Sequence, residues 1–274
     1  MKVWHITRTL YGGAGIYAQR LSDALLSAGV DSCTLSSDAD GAHDSGALKI
    51  VAGAVPQLST RIVRSMSHRL TSAPFHSLLS MDGFAVEHMP EKGDIIHLHG
   101  LTGWMGLRGL NALIPEGSQV FWTTHDLWPL SGGCILYSGC DGYQKDCGSC
   151  PILRKGVKTW AKIELKLKEK LIRENKVRPI ANSGWMASHI AGSRVFEGVK
   201  DVPIIPPIVG PSYFAPNIEN MRVRLKIDPD KKVIALGARA VTDRYKGIPE
   251  FLEALVMRPK LAEQCVILLF GEGE

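Results

Sequence analysis

Four cysteines lie within seventeen residues, in a stretch that is otherwise rich in Gly, Ser, Asp and Tyr. They are Cys134, Cys140, Cys147 and Cys150, with the spacing C-x5-C-x6-C-x2-C. Thiolates spaced in this way, and a terminal C-x2-C above all, are typical ligands of tetrahedral zinc. The pattern therefore predicts a structural zinc site that would hold the loop together. An iron–sulfur cluster or redox role, and unliganded thiols or disulfides, are the alternatives that the spacing leaves open.

A His-Asp pair stands shortly before the cysteines. His125 and Asp126 directly follow an apolar run at 119–124, and His97 and His99 lie at the end of another apolar run. In an open parallel sheet, ligands bind at the carboxyl ends of the strands. An imidazole there can donate a hydrogen bond to a sugar hydroxyl or an oxyanion, and a neighbouring carboxylate can fix its orientation. The alternative is a structural histidine followed by an aspartate that opens a turn.

A glycine-rich segment follows the first apolar run of the chain. Gly12, Gly13 and Gly15 would leave backbone N–H groups free at the start of a helix, where they favour a phosphate. Read as Gly13-x-Gly15-x-x-Ala18, the segment also fits the dinucleotide fingerprint, with Asp38 as the acid for a ribose. A tight turn without a ligand is the third interpretation.

A pair of cations occurs near the end of the chain. Arg239 and Lys246 follow an apolar run at 232–237, and Gly247 then opens a helical pattern. Cations at a strand-to-helix junction are well placed to neutralise the diphosphate of a nucleotide. A solvated turn is the alternative.

The formal net charge of +5 is concentrated in one segment. Between Arg154 and Lys176 there are nine basic and three acidic residues, so the rest of the chain sums to about −1. We predict a basic helix at 156–176 that could lie on an anionic membrane surface or hold a phosphate-rich acceptor. A solvated helix packed by its apolar stripe is the alternative. Trp160 is the only aromatic residue among these cations, so they are not regularly interleaved with aromatic residues, which argues against a nucleic-acid partner.

Strand and helix patterns alternate along the chain and predict a Rossmann-like, doubly wound parallel sheet. Predicted strands cover 2–6, 31–36, 48–52, 94–98, 119–124, 178–182, 202–205, 232–237 and 265–270. Predicted helices cover 16–28, 104–113, 156–176, a segment opened by Ser183 as N-cap, and 248–257, and residues 57–80 show mixed helical patterning. A proline-rich linker at 203–216 divides a domain at 1–212 from the incomplete start of a second Rossmann-like domain at 213–274.

No targeting segment is evident in the sequence. The first residues run straight into an apolar strand, and no apolar run reaches the ~18 residues of a membrane-spanning helix. We therefore expect a cytoplasmic protein, with peripheral contact at the inner face of the cell membrane through the basic helix.

Six motifs together resemble the bacterial family-4 retaining glycosyltransferases of the GT-B fold, of the kind found in exopolysaccharide and colanic-acid gene clusters. They are YGGAG at 11–15, DIIHLHG at 94–100, WTTHDLWPLSGGC at 122–134, CGSCP at 147–151, IANSGWM at 180–186 and GARAVTDRYKG at 237–247. In that family the N-terminal domain binds an acceptor and the C-terminal domain binds a nucleotide sugar.

The resemblance implies a retaining transferase of the hexosyltransferase class that moves a sugar from a nucleotide-diphosphate sugar to a glycan or lipid-linked acceptor in surface polysaccharide biosynthesis. It implies no organic cofactor and no protein nucleophile. By motif, Gly13 would approach the donor phosphates, His125 beside Asp126 would contact the transferred sugar, and Arg239 with Lys246 would hold the diphosphate. His97 and His99 would lie on the acceptor side.

Two departures from the family follow from the same comparison. The linker reads Ile205-Pro206-Pro207-Ile208 where relatives have an Ile-Pro-Asn-Gly type turn, and the E-x7-E motif of the donor domain would lie beyond residue 274. The sequence therefore predicts a C-terminally truncated chain with little or no transferase activity by itself. A Rossmann oxidoreductase and a non-catalytic, zinc-stapled binding module are the competing hypotheses.

Overall fold

The computed structural model describes residues 1–37, 47–52, 70–71, 75–77, 84–86, 89–137, 139–210, 214 and 221–272. These fall into two compact units, Met1–Ile208 and Val209–Glu274. The sequence placed the division between residues 212 and 213. Asp38 and most of the helical patterning at 57–80 lie outside the described residues.

The first unit is built on one sheet. Its strands are β1 Val3–Ile6, β2 Ser32–Ser36, β3 Ala47–Ala52, β4 Phe84–Val86, β5 Ile95–Leu98, β6 Gln119–Thr124 and β7 Arg178–Ala181. The strand order is β4-β3-β2-β1-β5-β6-β7, and every neighbouring pair is parallel except β3 and β4. The order reverses direction beside β1, as in doubly wound sheets, so the predicted α/β fold class is confirmed.

Helices connect these strands. They are α1 Gly13–Ser27, α2 Leu107–Ala112, α3 Thr159–Glu174 and α4 Gly184–Ala191. The hydroxyl of Ser183 accepts the backbone N–H of Met186 at 3.3 Å, so the predicted N-cap of α4 is confirmed. Short 3-10 turns at Asp141–Gln144 and Arg194–Phe196 complete the unit.

The two faces of the sheet differ in chemistry because side chains alternate along each strand. One face presents apolar side chains such as Ile6, Leu98 and Trp122, which belong to a continuous buried cluster. The cluster also takes in α2 and α3, through residues such as Leu110 and Leu165. The opposite face carries buried polar side chains, and these form the candidate site described below.

The predicted strand at 202–205 is wrong. Ile204 makes only an isolated parallel bridge with Ala181 at the end of β7. The two hydrogen bonds there run from the N–H of Ala181 to the Pro203 carbonyl (2.9 Å) and from the N–H of Ile205 to the Ala181 carbonyl (2.8 Å). Prolines in and after this segment supply no N–H, so the ladder cannot continue.

The second unit contains a parallel pair of strands, β8 Lys232–Ala240 and β9 Cys265–Glu272. Its helices are α5 Met221–Arg224, α6 Ile248–Val256 and α7 Pro259–Ala262. Strand β8 runs three residues further than predicted, through a register shift between Gly237 and Ala240. The β-α-β arrangement is the repeating unit of Rossmann-like domains.

Candidate active site at the carboxyl edge of the sheet

The register of three strands brings four histidines together on one face. His5 of β1 lies directly opposite His97 of β5, which in turn lies opposite Phe121 of β6. Because side chains alternate, His99 and His125 follow on the same face, beyond the carboxyl ends of β5 and β6. The first histidine was not singled out in the sequence, since only the pairing of β1 with β5 reveals its neighbours.

Hydrogen bonds link three of the imidazoles into a chain. His5 Nδ1 lies 3.0 Å from His99 Nε2, and His99 Nδ1 lies 3.3 Å from His125 Nε2. His97 lies beside this chain and is not a link in it, and its Nε2 is 2.8 Å from the hydroxyl of Thr123. The chain thus runs from the sheet interior to the carboxyl edge and ends at the histidine that the sequence predicted as functional.

Burial keeps these imidazoles neutral at neutral pH. It lowers the pKa of His5 to about 4 and that of His125 to about 4. Burial, reinforced by repulsion between neighbouring rings, holds the pKa of His97 and of His99 well below the ordinary value. A proton on any one of them would be poorly solvated. The cluster therefore consists of neutral rings that each carry one N–H.

The position of those protons follows from a buried nitrogen of His5 that lacks a hydrogen-bond partner. His5 Nε2 is buried without a hydrogen-bond partner among the described residues. A buried N–H without an acceptor is rarer than a bare lone pair, so the proton of His5 belongs on Nδ1, which donates to His99. His99 then carries its proton on Nδ1 and donates to His125 Nε2. His125 consequently holds its own proton on Nδ1, which has no protein partner in the described part of the chain.

Helix α1 covers this face through an aromatic residue. The ring of Tyr17 stands edge-on to His125, with centroids 5.1 Å apart, and its hydroxyl donates to the Ile205 carbonyl at 3.2 Å. The amino end of α1 also approaches the sheet edge, since a methyl on Gly100 would come within 2.8 Å of the Ala14 side chain. The start of α1 and the end of the histidine chain therefore lie at the same edge.

The glycines at this edge differ from the predicted turn. Gly13 and Gly15 lie inside the first turn of α1, and Gly12 is the N-cap with φ of 81°. A methyl on Gly15 would stand 2.1 Å from the Thr9 carbonyl, so this glycine is required by packing. A methyl on Gly13 would meet open space, which leaves the helix start accessible to a ligand.

Asp126 has a different partner from the one predicted. One carboxylate oxygen accepts the N–H of Trp128 at 2.8 Å, and the other accepts the Thr102 hydroxyl at 3.3 Å. Burial raises the pKa of Asp126, partly offset by these donors. The carboxylate therefore fixes the turn after β6, and His99 fills the orienting role at His125.

The two predicted diphosphate ligands lie in the second unit. Arg239 falls inside β8, which corrects the prediction that it follows the strand. Lys246 ends the 3-10 turn Arg244–Lys246, and Gly247 at the start of α6 has φ of 68°. Positive φ is costly for other residues, so the glycine sets the sharp entry into the helix.

Two groups of side chains have the chemistry of metal ligands. Among the described residues, His5, His97 and His99 offer ligand atoms that all lie within 4.8 Å of one another. The four cysteine thiols are spaced more widely, and they line one cavity of about 400 Å³. All four are free thiols. The predicted zinc ligands thus share a cavity but are not drawn into one compact set.

Helix α3 contributes a buried cation that the sequence did not predict. Lys168 is fully buried, and its ammonium donates to the carbonyl oxygens of Trp128 (2.5 Å) and Ser131 (2.7 Å). Burial lowers its pKa to about 8, against the raising effect of Glu164 and other nearby groups. The residue falls on the i, i+3, i+4 stripe of buried positions, which is the pattern that could have located it.

The fold and the site define a Rossmann-like α/β protein with histidines at the carboxyl edge of a parallel sheet. No protein-family profile matches the chain. Over 66 residues it is 29% identical to a protein of Escherichia coli (strain K12) named as a colanic acid biosynthesis glycosyl transferase, WcaC. That match spans 22% of this chain and 16% of WcaC.

A solved structure also resembles the chain. It is a glycosyltransferase from Rickettsia africae ESF-5, with a TM-score of 0.48 and 12% sequence identity. The similarity covers 99% of this chain and 68% of the other. None of the described helices combines the length and apolar character that a membrane crossing requires.

Proposed function

We propose that this chain belongs to a retaining glycosyltransferase that moves a sugar from a nucleotide-diphosphate sugar to a glycan or lipid-linked acceptor in surface polysaccharide biosynthesis. The observation that carries the proposal is the histidine chain, which ends at His125 with an unpaired Nδ1 at the carboxyl edge of the sheet. The short match to WcaC supports the same class of reaction.

The neutral state of His125 suits sugar transfer. As the bond to the nucleoside diphosphate breaks, positive charge develops on the sugar ring. A protonated imidazole beside that centre would oppose the charge, whereas a neutral one can donate Nδ1–H to a sugar hydroxyl without this penalty. Burial and the bond from His99 hold His125 in that form.

The donor phosphates need positive partners, and each unit by itself offers candidates. In the first unit, the amino end of α1 offers free N–H groups beside Gly13, and the helix dipole favours an anion there. In the second unit, Arg239 and Lys246 would neutralise the diphosphate as it leaves. The first unit would bind the acceptor, with His97 and His99 on that side.

A lipid-linked acceptor is supported by the charge of α3. Lys166 and Lys170 are exposed, as is Lys158 just before the helix, while the apolar stripe with Leu165 faces the core. An exposed row of lysines attracts anionic lipid headgroups or a phosphate-rich acceptor. We propose that this side of the helix meets the inner face of the cell membrane.

The proposal is tested by titrating the purified chain with a panel of UDP- and GDP-hexoses in a calorimeter. We expect one member to bind, and His125→Phe to weaken its affinity by about 5- to 10-fold, as loss of one hydrogen bond would. The control His189→Gln replaces a histidine outside the chain of imidazoles, bonded instead to the Tyr143 hydroxyl, and should bind as the wild type does.

Two outcomes would overturn the assignment. If His125→Phe binds the nucleotide sugar as tightly as the wild type, His125 does not contact the transferred sugar. If the folded chain binds a nicotinamide dinucleotide with higher affinity than any of the nucleotide sugars, the oxidoreductase hypothesis based on Gly13, Gly15 and Ala18 replaces the assignment.

A further inference from the structure

The four cysteine thiols belong to one loop, between β6 and α3, and face a common cavity. Cys147 and Cys150 are buried, and Cys134 and Cys140 are partly buried. Cys134 and Cys150 are in side-chain contact, and a methyl on Gly142 would lie 3.3 Å from the sulfur of Cys140 and 3.7 Å from that of Cys147.

Backbone N–H groups point at three of the sulfurs. The N–H of Gly142 donates to Cys140 Sγ and that of Gly132 donates to Cys147 Sγ, both at 3.4 Å. Cys150 receives the N–H groups of the two residues Ile152 and Leu153. Such donors stabilise thiolates, and metal-bound thiolates are held by outer hydrogen bonds of this kind. A neutral thiol is a weak acceptor and gains much less from such hydrogen bonds.

The buried ammonium of Lys168 places positive charge near the cysteine loop. Its direct partners, the carbonyls of Trp128 and Ser131, are uncharged. Glu164 and Asp126 act on it from further away, together with two cysteines of the loop. A buried cation needs compensating charge nearby. Four thiolates around a divalent ion carry a net charge of about −2, which would add to the negative charge of Glu164 and Asp126 near the ammonium.

We propose that Cys134, Cys140, Cys147 and Cys150 bind one Zn²⁺ ion. With zinc–sulfur bonds of about 2.3 Å, tetrahedral geometry places the sulfurs about 3.8 Å apart, so the four sulfurs must close toward the middle of the cavity. The ion would brace the loop and would take no part in sugar transfer. All-thiolate coordination leaves no open position for a substrate.

The buried histidines are a poorer site for the same ion. Binding zinc at His5, His97 and His99 would break the His5–His99 and His97–Thr123 hydrogen bonds. It would also place two positive charges among neutral groups, where burial already keeps the imidazoles uncharged. The thiol cavity differs because a zinc ion with four thiolates carries net negative charge, which the positive charge of Lys168 nearby would stabilise.

The test measures metal content in the reduced, full-length chain by mass spectrometry of the elements. We expect about one zinc per chain, and thiolate-to-metal charge-transfer absorption when Co²⁺ replaces it. Cys140→Ser should lose most of the metal, whereas Cys140→His, which restores a ligand, should keep it. Cys33→Ser is the control, because this buried cysteine lies on β2, outside the loop.

Four results would overturn the proposal. These are a reduced chain without zinc, iron in place of zinc, zinc that persists in Cys140→Ser but disappears in His97→Gln, and loop cysteines that react with an alkylating reagent only after reduction. The last would identify disulfides. None of these readouts depends on transferase activity, so failure of the zinc site leaves the proposed function standing.

Discussion

Acidification is predicted to destabilise the first unit through its buried histidines, and His5 shows the size of the effect. Burial lowers its pKa from the ordinary value of 6.5 to about 4. Between those values the unfolded chain takes up a proton that the folded chain does not. The stabilisation is therefore complete above the unfolded pKa and is lost as pH falls. From about pH 7.5 to about pH 5 the loss is about 2 kcal/mol for this residue.

Urea unfolding followed by tryptophan fluorescence measures this loss in the first unit alone, because all six tryptophans lie within it. His5→Gln removes the titrating group. Its unfolding free energy should fall by about 2 kcal/mol less than that of the wild type over the same pH interval, whatever its stability near neutral pH. His189→Gln keeps all four clustered imidazoles and should follow the wild type.

One result would contradict the neutral state of His5. If His5→Gln loses as much stability on acidification as the wild type, then His5 is not held neutral by the fold. The directed chain of imidazoles that ends at His125 would then lose its basis, since it depends on each ring carrying a single proton.

Two matched pairs of variants test other parts of the structure by chemical denaturation. Gly15→Ala should lower the free energy of unfolding by about 1–3 kcal/mol, because its methyl would stand 2.1 Å from the Thr9 carbonyl. Gly13→Ala, with open space around it, should change it by less than about 0.5 kcal/mol, and equal losses would contradict the packing argument. Lys168→Met should cost about 2 kcal/mol or more, since two buried carbonyls lose their donors, whereas the exposed Lys166→Met should be near neutral.

The sheet could be predicted because its information is local. Apolar runs between turn residues gave β1, β5 and β6 within a residue or two of their ends, and the Ser183 cap depends on a contact three residues away. The error at 202–205 has the same origin. An apolar run was interpreted as a strand although the prolines remove the N–H groups that a ladder needs.

The candidate site was predicted only in part, because its remaining contacts join distant parts of the chain. His125 lies just beyond the carboxyl end of β6, as predicted. Its hydrogen bond with His99 depends on the register of β5 against β6, which the sequence does not show. Asp126 is adjacent in sequence and yet turns to Trp128 and Thr102. Their adjacency in sequence predicted that Asp126 orients His125, but in the structure His99 is the hydrogen-bond partner of His125.

The segment after β6 connects the two proposals physically. Trp128 donates its N–H to Asp126, and its carbonyl accepts a hydrogen bond from the ammonium of Lys168, so both backbone polar groups of this residue are fixed, three residues beyond His125. Ser131, the other carbonyl on that ammonium, lies at the entrance to the cysteine loop, where the N–H of Gly132 reaches Cys147. The buried lysine therefore joins the thiol cavity to the turn that positions His125. A zinc brace in the loop and a correctly placed histidine at the sheet edge would depend on the same short stretch of backbone.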